Sequence, residues 1–171
     1  MDIDKLVDAY YRKIYKLALF YLRDAEEAED MAQEIFYKAM KKQSSFKEQS
    51  SEYTWLYRVA VNAILNHIKR KKILQFISFE NVTEQRETKL LCDPSNPANI
   101  MEEEQLKEVE IGKLQEGINR LSAREKSAFF LFHYDNMKQK EIAQVMETSV
   151  SAVESLIHKA MKKIKASVGK G

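Results

Sequence analysis

Residues 121–165 read "LSAREKSAFFLFHYDNMKQKEIAQVMETSVSAVESLIHKAMKKIK", and the last third of that stretch decides how the rest is understood. Val153, Leu156, Ile157, Ala160 and Ile164 recur at the i, i+3, i+4, i+7, i+11 rhythm of a helix with one buried face. The opposite face carries Ser151, Glu154, Ser155, His158 and Lys162, with Lys159 towards one flank. Just upstream, Ile142, Ala143 and Met146 are apolar or small where two helices must cross closely, so the pair reads as a helix-turn-helix, with an ordinary αα-hairpin as the alternative. Glu147 occupies the turn position that often holds glycine; a positive φ there would cost on the order of 1 kcal/mol.

A helix of this kind laid in a major groove presents its outer side chains to base edges. Serine and lysine suit that surface, and a glutamate can accept from the cytosine amino group. Two readings of Glu154 stand open. Ser151 and Glu154 form an S-x-x-E pair that could close a capping box and occupy the carboxylate. If Ser149 is the cap instead, Glu154 is free.

Working outward, the whole chain favours helix. Its 171 residues include only four glycines and two prolines. The fold class expected is all-α, in two small helical domains joined by a flexible linker: residues 1–73, a linker over 74–98, and residues 99–171. Charge follows the same division. Residues 1–72 hold 14 basic and 11 acidic side chains, residues 73–110 hold 3 and 9, and residues 111–171 hold 11 and 6. Two mildly basic units flanking an acidic segment suit polyanion binding at both ends.

The first unit reads as four helices. Residues 3–22 put Leu6, Tyr10, Ile14, Leu17, Ala18 and Tyr21 on one face; residues 26–42 bury Ala28, Met31, Ala32, Ile35 and Ala39; residues 53–71 place Leu56, Val59, Ala60, Ala63 and His67 or Ile68 inward. Residues 73–98 break the pattern, with the apolar run "ILQFISF" and both prolines in "DPSNP". A further helix is expected from about Asn99 to Leu121.

Within residues 53–71, Arg58, Asn62 and Asn66 recur every four residues as a polar stripe, extended by Lys69, Arg70, Lys71 and Lys72. Asparagine offers a base edge both donor and acceptor, and the cations suit phosphates. Tyr53, Trp55 and Tyr57 could add stacking, although Trp55 fits a core position better.

Catalysis is not expected. No glycine-rich phosphate loop exists, and His67, His133, His158 and Cys92 lack metal-ligand spacing, so neither metal nor cofactor nor catalytic set is assigned. The lone cysteine permits no intramolecular disulfide. Acids stand in "MDIDKLVDAYYRK" where a secretory signal needs cations, and no apolar run approaches the roughly 20 residues of a membrane span. A cytoplasmic protein without direct membrane insertion is the expectation.

With these segments in view the chain resembles a bacterial RNA polymerase sigma factor of the extracytoplasmic-function (ECF) group. "AEDMAQEIFYKAMKK" resembles region 2.2, "SSFKEQSSEYTWLYRVAVNAILNHIKRKK" resembles regions 2.3 and 2.4, and residues 121–165 resemble region 4. The resemblance implies a protein without catalytic activity that binds core RNA polymerase, through the β′ coiled coil and the β flap, and directs it to promoter DNA. Asp30, Gln33, Glu34 and Tyr37 match the β′-docking positions. Capture of an unstacked minus-ten base maps to the loop from Phe46 through Lys47 and Glu48 to Glu52, and to Asn62 and Asn66, with Arg58, Lys69 and Arg70 alongside. Glu48 stands where relatives often have glycine. The minus-thirty-five contacts map to Ser151, Glu154, Ser155, His158 and Lys159, with Arg124, Lys138 and Lys140 towards phosphates. The linker is implied to thread towards the polymerase active centre, and an anti-sigma factor is the implied regulator. The rival is a stand-alone helix-turn-helix regulator, which leaves the acidic face of residues 26–42 without a task.

Overall fold

The computed structural model describes residues 3–46, 50–78 and 111–169, and among these no strand occurs. The helices divide between two compact units, each described by itself.

Among the described residues 3–78 the chain forms three α-helices and one short 3-10 turn. Helix α1 spans Ile3–Leu22 and buries Leu6, Ile14, Leu17, Ala18 and Tyr21, while Tyr10 is half-buried against the Tyr53 ring, 5.2 Å away between centroids. The chain reverses at Arg23, whose φ of 58° closes the helix, and Asp24 then caps α2 by accepting from the Glu27 N–H at 2.8 Å. So short a connection leaves α1 and α2 as antiparallel neighbours. Helix α2, Ala25–Lys42, buries Ala28, Met31, Ala32, Ile35, Phe36 and Ala39; its three alanines let α1 approach closely. The 3-10 turn Gln43–Ser45 follows.

Helix α3 runs over Glu52–Ser78, started by Ser51, whose Oγ accepts from the Thr54 N–H at 3.1 Å. Its first half is buried nearly all round. Thr54, Trp55, Leu56, Tyr57, Ala60, Val61, Ala63 and Ile64 are all inside, packed on α1 and α2, while Val59 is half-buried. The helix does not stop at residue 71. "KILQFIS" contains neither glycine nor proline, so nothing ends the hydrogen-bond ladder, and the interval from residue 74 expected as linker begins within α3. Ile73 and Leu74 on this extension are 50% and 66% exposed. The remainder of that linker, and the expected helix start near Asn99, lie outside the described residues.

Beyond residue 110, α4 is described over 111–119. Helix α5 spans Ala123–His133, α6 Gln139–Val145 and α7 Val150–Val168. Ile118, Leu121, Ala128, Phe130, Leu131, Val153, Ile157, Ala160 and Ile164 are buried. Gly117 marks a close approach of α4 to α7: a Cβ there would lie 2.9 Å from the Ile164 Cα. Ser122 and Glu125 form a reciprocal capping box at the start of α5. Between α6 and α7 the chain turns through Glu147 at φ 50°, in the left-handed conformation.

Candidate nucleic-acid interface

The polar stripe of α3 is real in three dimensions. Asn62 and Asn66 are exposed and Arg58 is half-buried, and Lys69 and Arg70 continue the exposed surface towards the helix end. The aromatic residues nearby are not free to stack on bases. Trp55 and Tyr57 are buried, Tyr53 lies 4.5 Å from Tyr57 between ring centroids, and Phe46 meets Trp55 edge-on at 5.7 Å. Phe46 thus joins the loop before α3 to the core. Lys47 and Glu48 lie outside the described residues.

One member of the basic run has another task. Lys71 Nζ donates to both carboxylate oxygens of Glu27 at 2.8 and 2.9 Å, and His67 Nε2 lies 2.8 Å from Glu27 Oε1. Burial pushes the Glu27 carboxyl up, but the bonds from Lys71 and His67 more than offset it and hold the group below the usual carboxylate range. Lys71 therefore ties α3 to α2, and the exposed stripe that remains consists of Asn62, Asn66, Lys69 and Arg70, with Arg58 half-buried and 4.0 Å from the Glu147 carboxylate.

On α7 the cap is Ser149, whose Oγ accepts from the Ala152 N–H at 3.1 Å. The S-x-x-E alternative at Ser151 and Glu154 is not the one adopted. Ser151, Glu154, Ser155, His158 and Lys159 are all exposed, as are Lys138, Lys140 and, on α5, Arg124. Leu156, expected inward, is half-buried at the margin of the apolar stripe. The second half of α7 is pinned by Lys163, which donates to Glu125 Oε2 at 2.7 Å. Burial raises the Glu125 carboxyl, and the Lys163 bond together with the Ser122 bonds outweighs it, so this group too sits below its usual range.

A third surface lies on α2. Asp30, Gln33, Glu34 and Tyr37 are exposed along one row, and Lys38 pairs with Glu34 at its edge. Sequence reasoning missed how that row continues: Met40 is 51% exposed beside Tyr37 at 53%, and Lys41 Nζ stands 5.1 Å over the Tyr37 ring. Spacing could have found Met40, three residues beyond Tyr37 on the same face.

Two outward polar helix faces with cations alongside, one on α3 and one on α7, suit a protein that binds DNA. The comparisons with known proteins narrow this. A family model described as Sigma-70 region 2 matches residues 6–73, and one described as Sigma-70, region 4 matches residues 111–164. The RNA polymerase sigma-H factor of Pseudomonas aeruginosa is 30% identical over 164 residues, covering 94% of this chain and 83% of that one. The ECF RNA polymerase sigma-E factor of Escherichia coli K12 is 31% identical over 165 residues, covering 93% and 82%. In fold, the chain resembles the sigma factor RpoE solved with the anti-sigma factor NepR from Bartonella quintana, with a TM-score of 0.73 at 16% identity over 98% of this chain and 96% of that one. It also resembles CnrH, solved with the cytosolic domain of CnrY, with a TM-score of 0.65 at 19% identity over 96% and 85%. The chain belongs to the sigma-70 family of RNA polymerase sigma factors, in its ECF group. Members of this family are transcription initiation factors rather than enzymes.

Proposed function

We propose that this chain is a promoter-specificity subunit: it binds core RNA polymerase, reads minus-ten and minus-thirty-five elements, and carries out no catalysis itself. The observation that carries this reading is the presence on one chain of two separate outward faces, Asn62 with Asn66 on α3 and Ser151 to Lys159 on α7, each exposed and each followed or flanked by cations. In domain terms, residues 1–73 dock on polymerase and read the minus-ten element, residues 74–98 are the linker, whose first residues prolong α3, and residues 99–171 read the minus-thirty-five element.

Each surface has its own partner. The row Asp30, Gln33, Glu34 and Tyr37 meets the β′ coiled coil; Tyr37 and the adjoining Met40 supply an apolar centre to an otherwise polar contact, which suits a protein interface. On α3, Asn62 and Asn66 hold an extruded base of the non-template strand; leaving the stack costs a few kcal/mol, which hydrogen bonds to the base edge offset. Phe46, Lys47 and Glu48 are assigned to that site by the family resemblance, and Arg58, Lys69 and Arg70 hold the strand backbone. Further along the chain, Arg124, Lys138 and Lys140 take phosphates while α7 faces the bases, and residues 99–171 meet the β flap. An anti-sigma factor controls the protein; the RpoE that shares its fold was solved with the anti-sigma factor NepR. It acts in the cytoplasm, where core polymerase is found; no described helix is long and apolar enough to cross a membrane.

Reconstitution tests the whole reading. Mixed with core polymerase and a promoter found by mapping transcripts after overexpression, the purified protein should form a stable complex and give run-off transcripts. Neither complex nor transcript would overturn the assignment, and dimeric binding to an operator without polymerase would favour the stand-alone regulator.

A further inference from the structure

From the capping of α7 we infer that Glu154 is a specificity-determining residue which selects a cytosine in the upstream promoter element. The inference rests on the promoter-reading function proposed above and assigns one letter within it.

An acid on a helix that faces DNA has to be explained, because each nearby phosphate repels it. Capping would have been sufficient explanation, since a carboxylate that bonds back to the helix start is held for structural reasons. The structure removes that explanation: Ser149 is the cap, its Oγ accepting from the Ala152 N–H at 3.1 Å. The reciprocal capping box of this unit is at Ser122 and Glu125, whose carboxylate accepts from the Ser122 N–H at 2.7 Å. The ion pair that anchors α7 is also made by Glu125, through Lys163. Neither structural task falls to Glu154. It is exposed in the second turn of the helix, one turn after Ser151 and one before His158, and the first two turns of a recognition helix are those that reach base edges.

The chemistry of the groove then chooses the base. A carboxylate is acceptor-only, so it needs a donor. In the major groove guanine offers two acceptors and thymine an acceptor and a methyl group. The adenine amino group lies beside N7, an acceptor that repels the second carboxylate oxygen. The cytosine amino group borders the C5–H edge, where nothing opposes that oxygen, so cytosine is the best partner.

The test uses the native chain and Glu154→Ala and Glu154→Gln variants, each reconstituted with core polymerase and offered templates with a randomised upstream element, the selected templates being sequenced. The native holoenzyme should enrich cytosine at one position by roughly tenfold. Glu154→Ala should abolish that preference while leaving the other positions unchanged. Glu154→Gln should move it towards adenine, because an amide pairs with N6 and N7 together. A native profile without a cytosine preference, or a Glu154→Ala profile unchanged at every position, overturns the inference. So does a uniform loss of binding across all sequences, which is the signature of a phosphate or folding role. Failure of native holoenzyme to select any upstream sequence overturns the promoter-reading function as well, and is thereby distinguished from failure of the Glu154 assignment alone.

Discussion

Glu27 and Glu125 do the same thing in the two halves of the molecule and do it in different places. Each is a glutamate near the start of its helix, mostly or wholly buried, that binds a lysine about forty residues further along: Lys71 for Glu27, Lys163 for Glu125. On α7 the anchored residue comes after the outward-facing residues 151–159, so the reading end and the fastened end are separate. On α3 the anchored residues interleave with the stripe. His67 follows Asn66 and Lys71 follows Arg70. Core packing of Trp55, Leu56 and Ile64 sets the rotation of α3, and the clamp adds a restraint on its second half, where Asn66 stands. Disturbing the first clamp should therefore reach function, and disturbing the second should cost mainly stability.

The largest stability effect expected is at Lys163. Glu125 is 5% exposed and retains only Ser122 when the lysine is removed, so Lys163→Met should weaken the second unit by about 2–3 kcal/mol. The single tryptophan, Trp55, lies in the first unit, so helix circular dichroism in urea should detect the loss while Trp55 fluorescence does not. The pH dependence has a definite sign. With its carboxyl held below the ordinary 4.5, Glu125 contributes stability that is fully present above about 4.5 and is lost as pH falls through the folded-state value. Lys163→Met should flatten that acid dependence. Selection at the upstream element should be unaltered in the molecules that remain folded; a changed preference would break the separation of anchor from reader.

Next in size is the double change Asn62→Ala with Asn66→Ala. Promoter opening, followed by permanganate reactivity of the melted strand, should lose about 2 kcal/mol, whereas complex formation with core polymerase should be unaffected. Equal losses in both assays would remove these residues from base contact. Glu27→Ala comes third. Its partners are half-exposed and return to water, so the first unit should lose only about 1 kcal/mol. Opening should nonetheless fall with it, because the second half of α3 loses that restraint. Normal opening in a measurably destabilised Glu27→Ala protein would mean that the two clamps are equivalent after all.

Much of this was legible in the sequence, and the gaps have physical causes. Helices α1, α2 and α7 each bury one face, so apolar spacing located α1 and α2 to within a residue, found the buried face of α7, and placed Asp30, Gln33, Glu34 and Tyr37 outward. Helix α3 is enclosed around Trp55, Leu56, Tyr57 and Val61, which blurs the one-faced pattern, and no residue between Lys72 and Ser78 signals a stop. The clamps were out of reach because their partners are 38 to 44 residues apart, and no local rule pairs Glu27 with His67 or Glu125 with Lys163. The choice between Ser149 and Ser151 as cap was also undecidable. Both are serines, and only backbone geometry separates a residue in the extended conformation from one already in the helix.

The smallest expected effect is at the entrance to α7. Glu147 adopts φ 50°, where a side chain is strained and glycine is not, so Glu147→Gly relieves roughly 1 kcal/mol in the folded turn. Part of that gain is cancelled, because glycine has more conformations to lose on folding, and a net stabilisation of about 0.5 kcal/mol should appear in the circular dichroism transition. The change lies two residues before the cap Ser149 and seven before Glu154, at the end of α7 that the Glu125 clamp does not hold. If the turn merely joins two helices, upstream base preference is unchanged and the protein is slightly more stable. A shift in preference with no change at Lys163 would mean that the turn at Glu147, rather than the clamp, fixes how the recognition helix meets DNA.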